Sequence, residues 1–207
     1  MRIGKYDSVR GKSSRIRHTS TMSRAYQTFK DSIEDAEELL KLFDEINDKP
    51  PHPCAEVLKR AGLVMALTAW ETYVEDRLEE EMSKKLDVLR GCYVGNFVLN
   101  KLKHDLKQFH NPTSDKCKRI FQEYLGFDVT EGWAWANFKS EGARKTLNDW
   151  ISKRGEAVHR SKPATSGSPT PHLVKREELE KLIRFIRGLV QASDKYIDSM
   201  LDQKTSL

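Results

Sequence analysis

Ala61-Gly62-Leu63-Val64-Met65-Ala66-Leu67-Thr68-Ala69-Trp70 is the least polar segment of the chain. At about 100° per residue, its apolar side chains fall on every side of a helix, so every side has to be buried. The segment therefore predicts a central helix, over about 55 to 89, touched by at least two neighbours. Glu71 leaves it as the first carboxylate.

Working outward, Tyr26, Phe29, Ile33, Ala36, Leu40 and Phe43 recur three and four apart and predict a helix over about 23 to 48. Its other face carries Glu34, Asp35, Glu37, Glu38, Asp44 and Glu45, which suits solvent. Pro50, Pro51 and Pro53 then end it, because proline lacks an amide donor and restricts the residue before it. Beyond Gly91 the pattern shortens into helices over about 94 to 109 and 114 to 125, with Asn111-Pro112-Thr113-Ser114 supplying a break and an N-cap. Trp133 and Trp135 lie in a stretch without a period, read as a packed connection whose tryptophans serve the core rather than base stacking. Another helix begins near 141 to 145 and runs through Trp150. The last starts near Lys175 and presents Leu179, Leu182, Ile186, Leu189, Tyr196 and Met200, widened by Ile183, Val190 and Ile197. A stripe that broad packs within the chain rather than into a coiled coil. The expected fold is all-α, an antiparallel helical bundle of about five to seven helices, with 1–22 as a basic flexible arm and 23–207 as a single domain.

At 207 residues the chain suits one core. Seven basic side chains in residues 1 to 24 face only Asp7, an excess of six, which leaves the rest close to neutral out of a net charge of +5. A polybasic arm favours polyanions such as RNA through counterion release, and a solvated tail without a partner is the bland alternative. A DNA-binding regulator is a further reading of that arm. No run of about eighteen uncharged apolar residues occurs and no apolar stretch follows the basic start, so no membrane span or secretory signal is expected and the cytoplasm is the default compartment. Cys54, Cys92 and Cys117 are odd in number and form no Cys-x-x-Cys, which suggests reduced, structural thiols and no zinc site. Neither a Walker loop, a paired-glycine dinucleotide fingerprint nor a His-Glu-x-x-His is present, and no cofactor is expected. His18, His52, His104, His110 and His172 are scattered and read as surface or packing residues.

One run carries chemistry. In Arg154-Gly155-Glu156-Ala157-Val158-His159, the arginine takes the next place in the stripe Leu147, Ile151, Arg154, Val158, where an apolar residue would otherwise stand. A guanidinium at a core edge needs a partner, and Glu71 is the candidate; an exposed Glu71, or one satisfied by Arg60 instead, is the competing possibility. A planar, permanently charged guanidinium can hold two phosphate oxygens, while an imidazole exchanges protons near neutrality. Gly155 permits either a helix end or a bend. Positions five apart on an unbroken helix diverge by about 140°, so the motif suits a site shared with a second copy.

The arginine-x4-histidine spacing resembles the signature of HEPN domains, the all-helical "higher eukaryotes and prokaryotes nucleotide-binding" family. Three further stretches are similar to its RiboL-PSP branch over roughly residues 25 to 200: Ala69-Trp70-Glu71-Thr72-Tyr73-Val74-Glu75-Asp76, Phe109-His110-Asn111-Pro112-Thr113, and Ile120-Phe121-Gln122-Glu123-Tyr124-Leu125-Gly126 followed by Trp133. After the arginine the family often carries a polar side chain, where this chain has Gly155. The resemblance implies a metal-independent endoribonuclease in which Arg154 and His159 of two subunits form one catalytic site. It further implies a homodimer, an RNA substrate cut through its 2′-hydroxyl, and a role as a toxin or antiviral effector with an antitoxin or regulatory partner. Glu71 and Glu156 are possible supporting carboxylates, and Lys153, Arg160 and Lys162 flank the motif as RNA-binding cations. The alternative within the same family is a noncatalytic interaction or nucleic-acid-binding module.

Overall fold

The computed structural model describes residues 22–47, 55–159 and 173–205. Within them the chain forms six helices: α1 (Arg24–Ile46), α2 (Ala55–Lys85), α3 (Tyr93–Leu106), α4 (Ser114–Leu125), α5 (Ser140–His159) and α6 (Arg176–Thr205). Short 3-10 turns occupy Asp87–Leu89 and Val129–Gly132, and a single isolated backbone bridge joins Trp135 to Phe138. This is the expected all-α bundle. The basic arm apart from Met22, Cys54, and the segment 160–172 with Arg160 and Lys162 lie outside the described residues.

The apolar segment of α2 sits where its all-round hydrophobicity requires. Helix α2 meets each of the other five. Leu63, Ala66, Leu67, Trp70, Tyr73, Val74 and Leu78 are buried along it, and they pack with Phe29 and Ile33 of α1 and with Leu179, Leu182, Ile186 and Leu189 of α6. Gly62 permits a close crossing: a Cβ there would stand 2.8 Å from Leu179 Cδ2. The helix is shorter than the periodicity suggests, because the chain tightens at Asp87–Leu89 and turns at Gly91, whose φ of 82° lies in the left-handed region.

Caps fix the shorter helices. Thr113 Oγ1 accepts from the amide of Lys116 at the start of α4, and Gly126, at φ 75°, ends it in the left-handed conformation that lacks a steric penalty only for glycine. Trp133 is completely buried and meets Trp70 edge to face at 5.8 Å, so the unperiodic connection is part of the core. Trp135 is half-buried and stacks on Phe138 at 4.9 Å.

The core also holds a charge. Arg77 is 1% exposed and bonds Glu81 on its own helix and Asp198 on α6, with Asp194 Oδ1 3.2 Å from its Nε. Tyr73 donates its hydroxyl to Asp194, and so does Ser23, whose oxygen in turn accepts from Tyr26 N to cap α1. One buried guanidinium thereby ties the start of α1 to α2 and α6. Burial by itself disfavours such a charge; the surrounding carboxylates outweigh it and hold the guanidinium protonated. Among the described residues no helix is long and apolar enough to cross a membrane.

Candidate functional site

Helix α5 runs unbroken through Gly155 to His159, so of the two options Gly155 leaves open the chain takes neither an end nor a break there. Its stripe rises out of the core toward its C-terminal end: Leu147 is fully buried, Ile151 half-buried and Val158 52% exposed. Arg154 stands on that gradient with 18% of its side chain exposed. It is deep enough to be held by the protein and shallow enough to present one edge.

Three groups hold it. Arg154 Nη1 donates to Glu71 Oε2 at 2.9 Å and to Asn111 Oδ1 at 3.1 Å, and Nη2 reaches Thr68 Oγ1 at 3.4 Å. Thr68 and Glu71 belong to α2, where the apolar segment gives way to charge, and Asn111 belongs to the turn before α4. Glu71 thus pairs with Arg154 rather than with Arg60, clamping α5 to α2, and its own side chain is only 15% exposed.

The turn from Phe109 to Ser114 is fastened on several sides. Phe109 and Pro112 are buried, and the Pro112 carbonyl accepts from Trp70 Nε1 at 3.2 Å. Ser114 and Asn148 of α5 exchange two hydrogen bonds, Ser114 N to Asn148 Oδ1 at 2.9 Å and Asn148 Nδ2 to Ser114 Oγ at 3.0 Å. Between these anchors Asn111 adopts φ 52°, left-handed for a residue with a side chain, and its amide points to Glu71 Oε2 at 3.4 Å. Asparagine is among the residues that tolerate this region best. His110 beside it is 73% exposed, with Nδ1 3.5 Å from Glu71 Oε1.

Glu75 lies one turn along α2 from Glu71. Half-burial, followed by repulsion from Glu71 and Asp76, pushes its carboxyl up to about 7, partly offset by attraction to His110. The arrangement therefore combines a held guanidinium, an exposed imidazole and a carboxyl poised to exchange a proton near neutrality. It can bind an anion and move protons.

The remaining candidates from the sequence fall as follows. His159 ends α5, and its side chain lies outside the description. Lys153 is 25% exposed and pairs with Glu178 of α6 at 2.7 Å while lying over the Trp150 ring, so its charge is met inside the fold. Glu156 is exposed on α5. Cys117 is buried, with its thiol pushed far up by that burial, while Cys92 is exposed; both are free thiols. Sequence reasoning missed Thr68 and Asn111 as partners of Arg154, and His110 and Glu75 as neighbours of Glu71. Asn111-Pro112 read only as a helix break, although an asparagine before proline in a tight turn also offers an oriented side-chain amide.

No curated protein and no solved structure matches the chain. The family model for RiboL-PSP-HEPN matches residues 30–199, more than half of the sequence and every element that builds the cluster around Arg154. The chain belongs to the RiboL-PSP-HEPN family, a family of HEPN domains.

Proposed function

We propose that this protein is a metal-independent endoribonuclease working as a homodimer. Cleavage of RNA without a metal needs a base at the 2′-hydroxyl, positive charge at the phosphate and an acid for the departing 5′-oxygen. Arg154 binds the scissile phosphate and stabilises the charge that grows on it, and His159 serves in proton transfer. Because α5 continues to His159, positions 154 and 159 lie about 140° apart around one axis, and a compact site calls for the matching residue of a second copy. Arg160 and Lys162 are assigned to the RNA backbone nearby, Lys153 being engaged by Glu178, with Glu71 and Glu156 as supporting carboxylates. Work as a toxin or antiviral effector, restrained by a partner protein, is the biological role this activity suits.

The observation that carries the proposal is the held but incompletely covered guanidinium: Glu71, Asn111 and Thr68 orient Arg154, and 18% of its side chain still faces out. Preorganised charge of this kind acts on a transition state without reorganising first. The same clamp favours a second reading, in which Arg154 only joins α5 to α2 in a noncatalytic binding module. Cleavage of single-stranded RNA in chelator by the protein, Arg154→Ala and His159→Ala separates them. Loss of about 100-fold or more in both variants, with a 2′,3′-cyclic phosphate product and no reaction on DNA, supports the nuclease. Equal cleavage by all three eliminates it.

A further inference from the structure

We propose that His110 is the general base of this site, taking the proton of the 2′-hydroxyl on its Nε2 while Glu71 holds its Nδ1 side. The inference rests on the nuclease reading and gives it a residue that the arginine-x4-histidine run does not contain.

The geometry around Glu71 carries it. The two oxygens of that carboxylate are divided: Oε2 accepts from Arg154, and Oε1 faces His110 Nδ1 at 3.5 Å. One buried-edge carboxylate thus sets a phosphate-binding guanidinium and an imidazole side by side in a single subunit. In the tautomer that carries its proton on Nδ1, the atom 3.5 Å from Glu71 Oε1, the lone pair is on Nε2, and the side chain is 73% accessible. A carboxylate behind an imidazole fixes its tautomer and stabilises the imidazolium that forms when it takes a proton.

The backbone supports the same conclusion. His110 is exposed, yet the residues on both sides of it are fastened: Phe109 is buried, Asn111 is held in the left-handed region while bonding both Glu71 and Arg154, and the Pro112 carbonyl is bonded to Trp70. The His110 carbonyl itself accepts from Lys116 Nζ. Asparagine adopts that conformation more readily than other residues with a side chain, and here its bonds to Glu71 and Arg154 hold it there. A surface histidine serving only solubility would need none of these anchors. The charged groups facing the imidazole are Glu71 and Glu75 from α2, Arg154 across the shared carboxylate from α5, and Lys116 on the carbonyl side from α4. The carboxyl of Glu75, raised to about 7, adds a proton-exchanging neighbour.

In the reaction the 2′-oxygen gives its proton to His110 and bonds to phosphorus. The bond from phosphorus to the 5′-oxygen breaks, and that oxygen receives a proton from His159. The products are a 2′,3′-cyclic phosphate and a 5′-hydroxyl. His110 ends protonated and His159 neutral, and exchange with water restores both, so no co-reactant is consumed.

The test compares the full-length protein with His110→Ala, His110→Gln, His159→Ala and Arg154→Ala on two substrates in chelator: single-stranded RNA and a nucleoside 3′-(4-nitrophenyl) phosphate. The nitrophenolate leaves without an acid but still requires a base. Both His110 variants are expected to lose about 100-fold or more on either substrate and to lose the acid limb of the kcat/KM pH profile, with free imidazole restoring part of the rate to His110→Ala. His159→Ala should lose activity on RNA and keep most of it on the aryl ester. His110→Gln retains a group that can bond Glu71, so it serves if the alanine variant melts early. Activity within about threefold of wild type and an unchanged acid limb in a folded His110 variant, while Arg154→Ala is inactive, overturn the role of His110 and leave the nuclease reading intact. Wild-type protein no better than Arg154→Ala overturns both.

Discussion

Arg154 and Glu71, 83 residues apart in the chain, meet at 2.9 Å and join the C-terminal part of α5 to the middle of α2. Both side chains are mostly covered, at 18% and 15% exposure, so the pair is neither a screened surface contact nor a fully desolvated one. A double-mutant cycle with Glu71→Gln and Arg154→Gln, followed by urea denaturation, is expected to give a coupling of about 1 kcal/mol. Glu71→Gln should also lower RNA cleavage by tenfold or so, since the guanidinium loses its orienting charge. Additive stabilities together with wild-type cleavage would sink the idea that this contact positions Arg154.

The buried guanidinium of Arg77 sets a different scale. Replacing it with alanine takes the cation from the buried Asp194 and the half-buried Asp198 and leaves Glu81 with only Lys84, at the junction of α1, α2 and α6. Removing one partner of a buried ionic network typically costs about 3–5 kcal/mol. The Arg77→Ala variant is therefore expected to unfold at much lower urea than wild type at pH 7. At lower pH, protonation of Asp198, whose carboxyl burial already raises, should narrow the difference. A loss below about 1 kcal/mol at neutral pH would mean that water or rearrangement replaces the arginine.

Much of this fold could be read from the chain because the signals were local. The apolar segment 61–70 identified the central helix, three-and-four spacing identified α1 and α6, and Asn111-Pro112-Thr113 located the start of α4. Arg77 could not be read in this way: it stands among Glu75, Asp76, Glu79, Glu80 and Glu81, a run that looks solvated until α6 covers one side of it. The site divides along the same line. Arg154 betrayed itself by interrupting an apolar stripe, and Glu71 by ending one. Asn111 reaches Arg154, and His110 reaches Glu71, only through tertiary packing that brings the turn before α4 against α2 and α5, and no spacing rule encodes that approach.

Gly155 offers a cleaner test of what the motif requires. It lies inside a continuous helix, and an added Cβ would meet nothing within 4 Å. Glycine in a helix is destabilising by roughly 0.5–1 kcal/mol relative to alanine through its backbone entropy. Gly155→Ala is expected to raise stability by about that amount and leave the Arg154 contacts in place, as read by thermal unfolding. A lower melting temperature would show that the assembled protein needs the open space at that position.

Glu75 gives the pH dependence its sign. Burial, with repulsion from Glu71 and Asp76, raises its carboxyl from 4.5 to about 7 in the folded chain. Between those values the folded state holds more protons than the unfolded one, so stability falls as pH rises through the window and levels off beyond it. Below about 4.5 both states are protonated and the penalty vanishes. Glu75→Gln keeps the shape and abolishes the titration. The variant is therefore expected to be more stable than wild type above pH 7, by on the order of 1 kcal/mol once screening of a half-exposed group is allowed for. Melting curves of both proteins from pH 4.5 to 8 should converge toward the acid end. A gap that stays constant, or one that widens as pH falls, would place the ionised carboxylate in a favourable contact and reverse the role assigned to its neighbours.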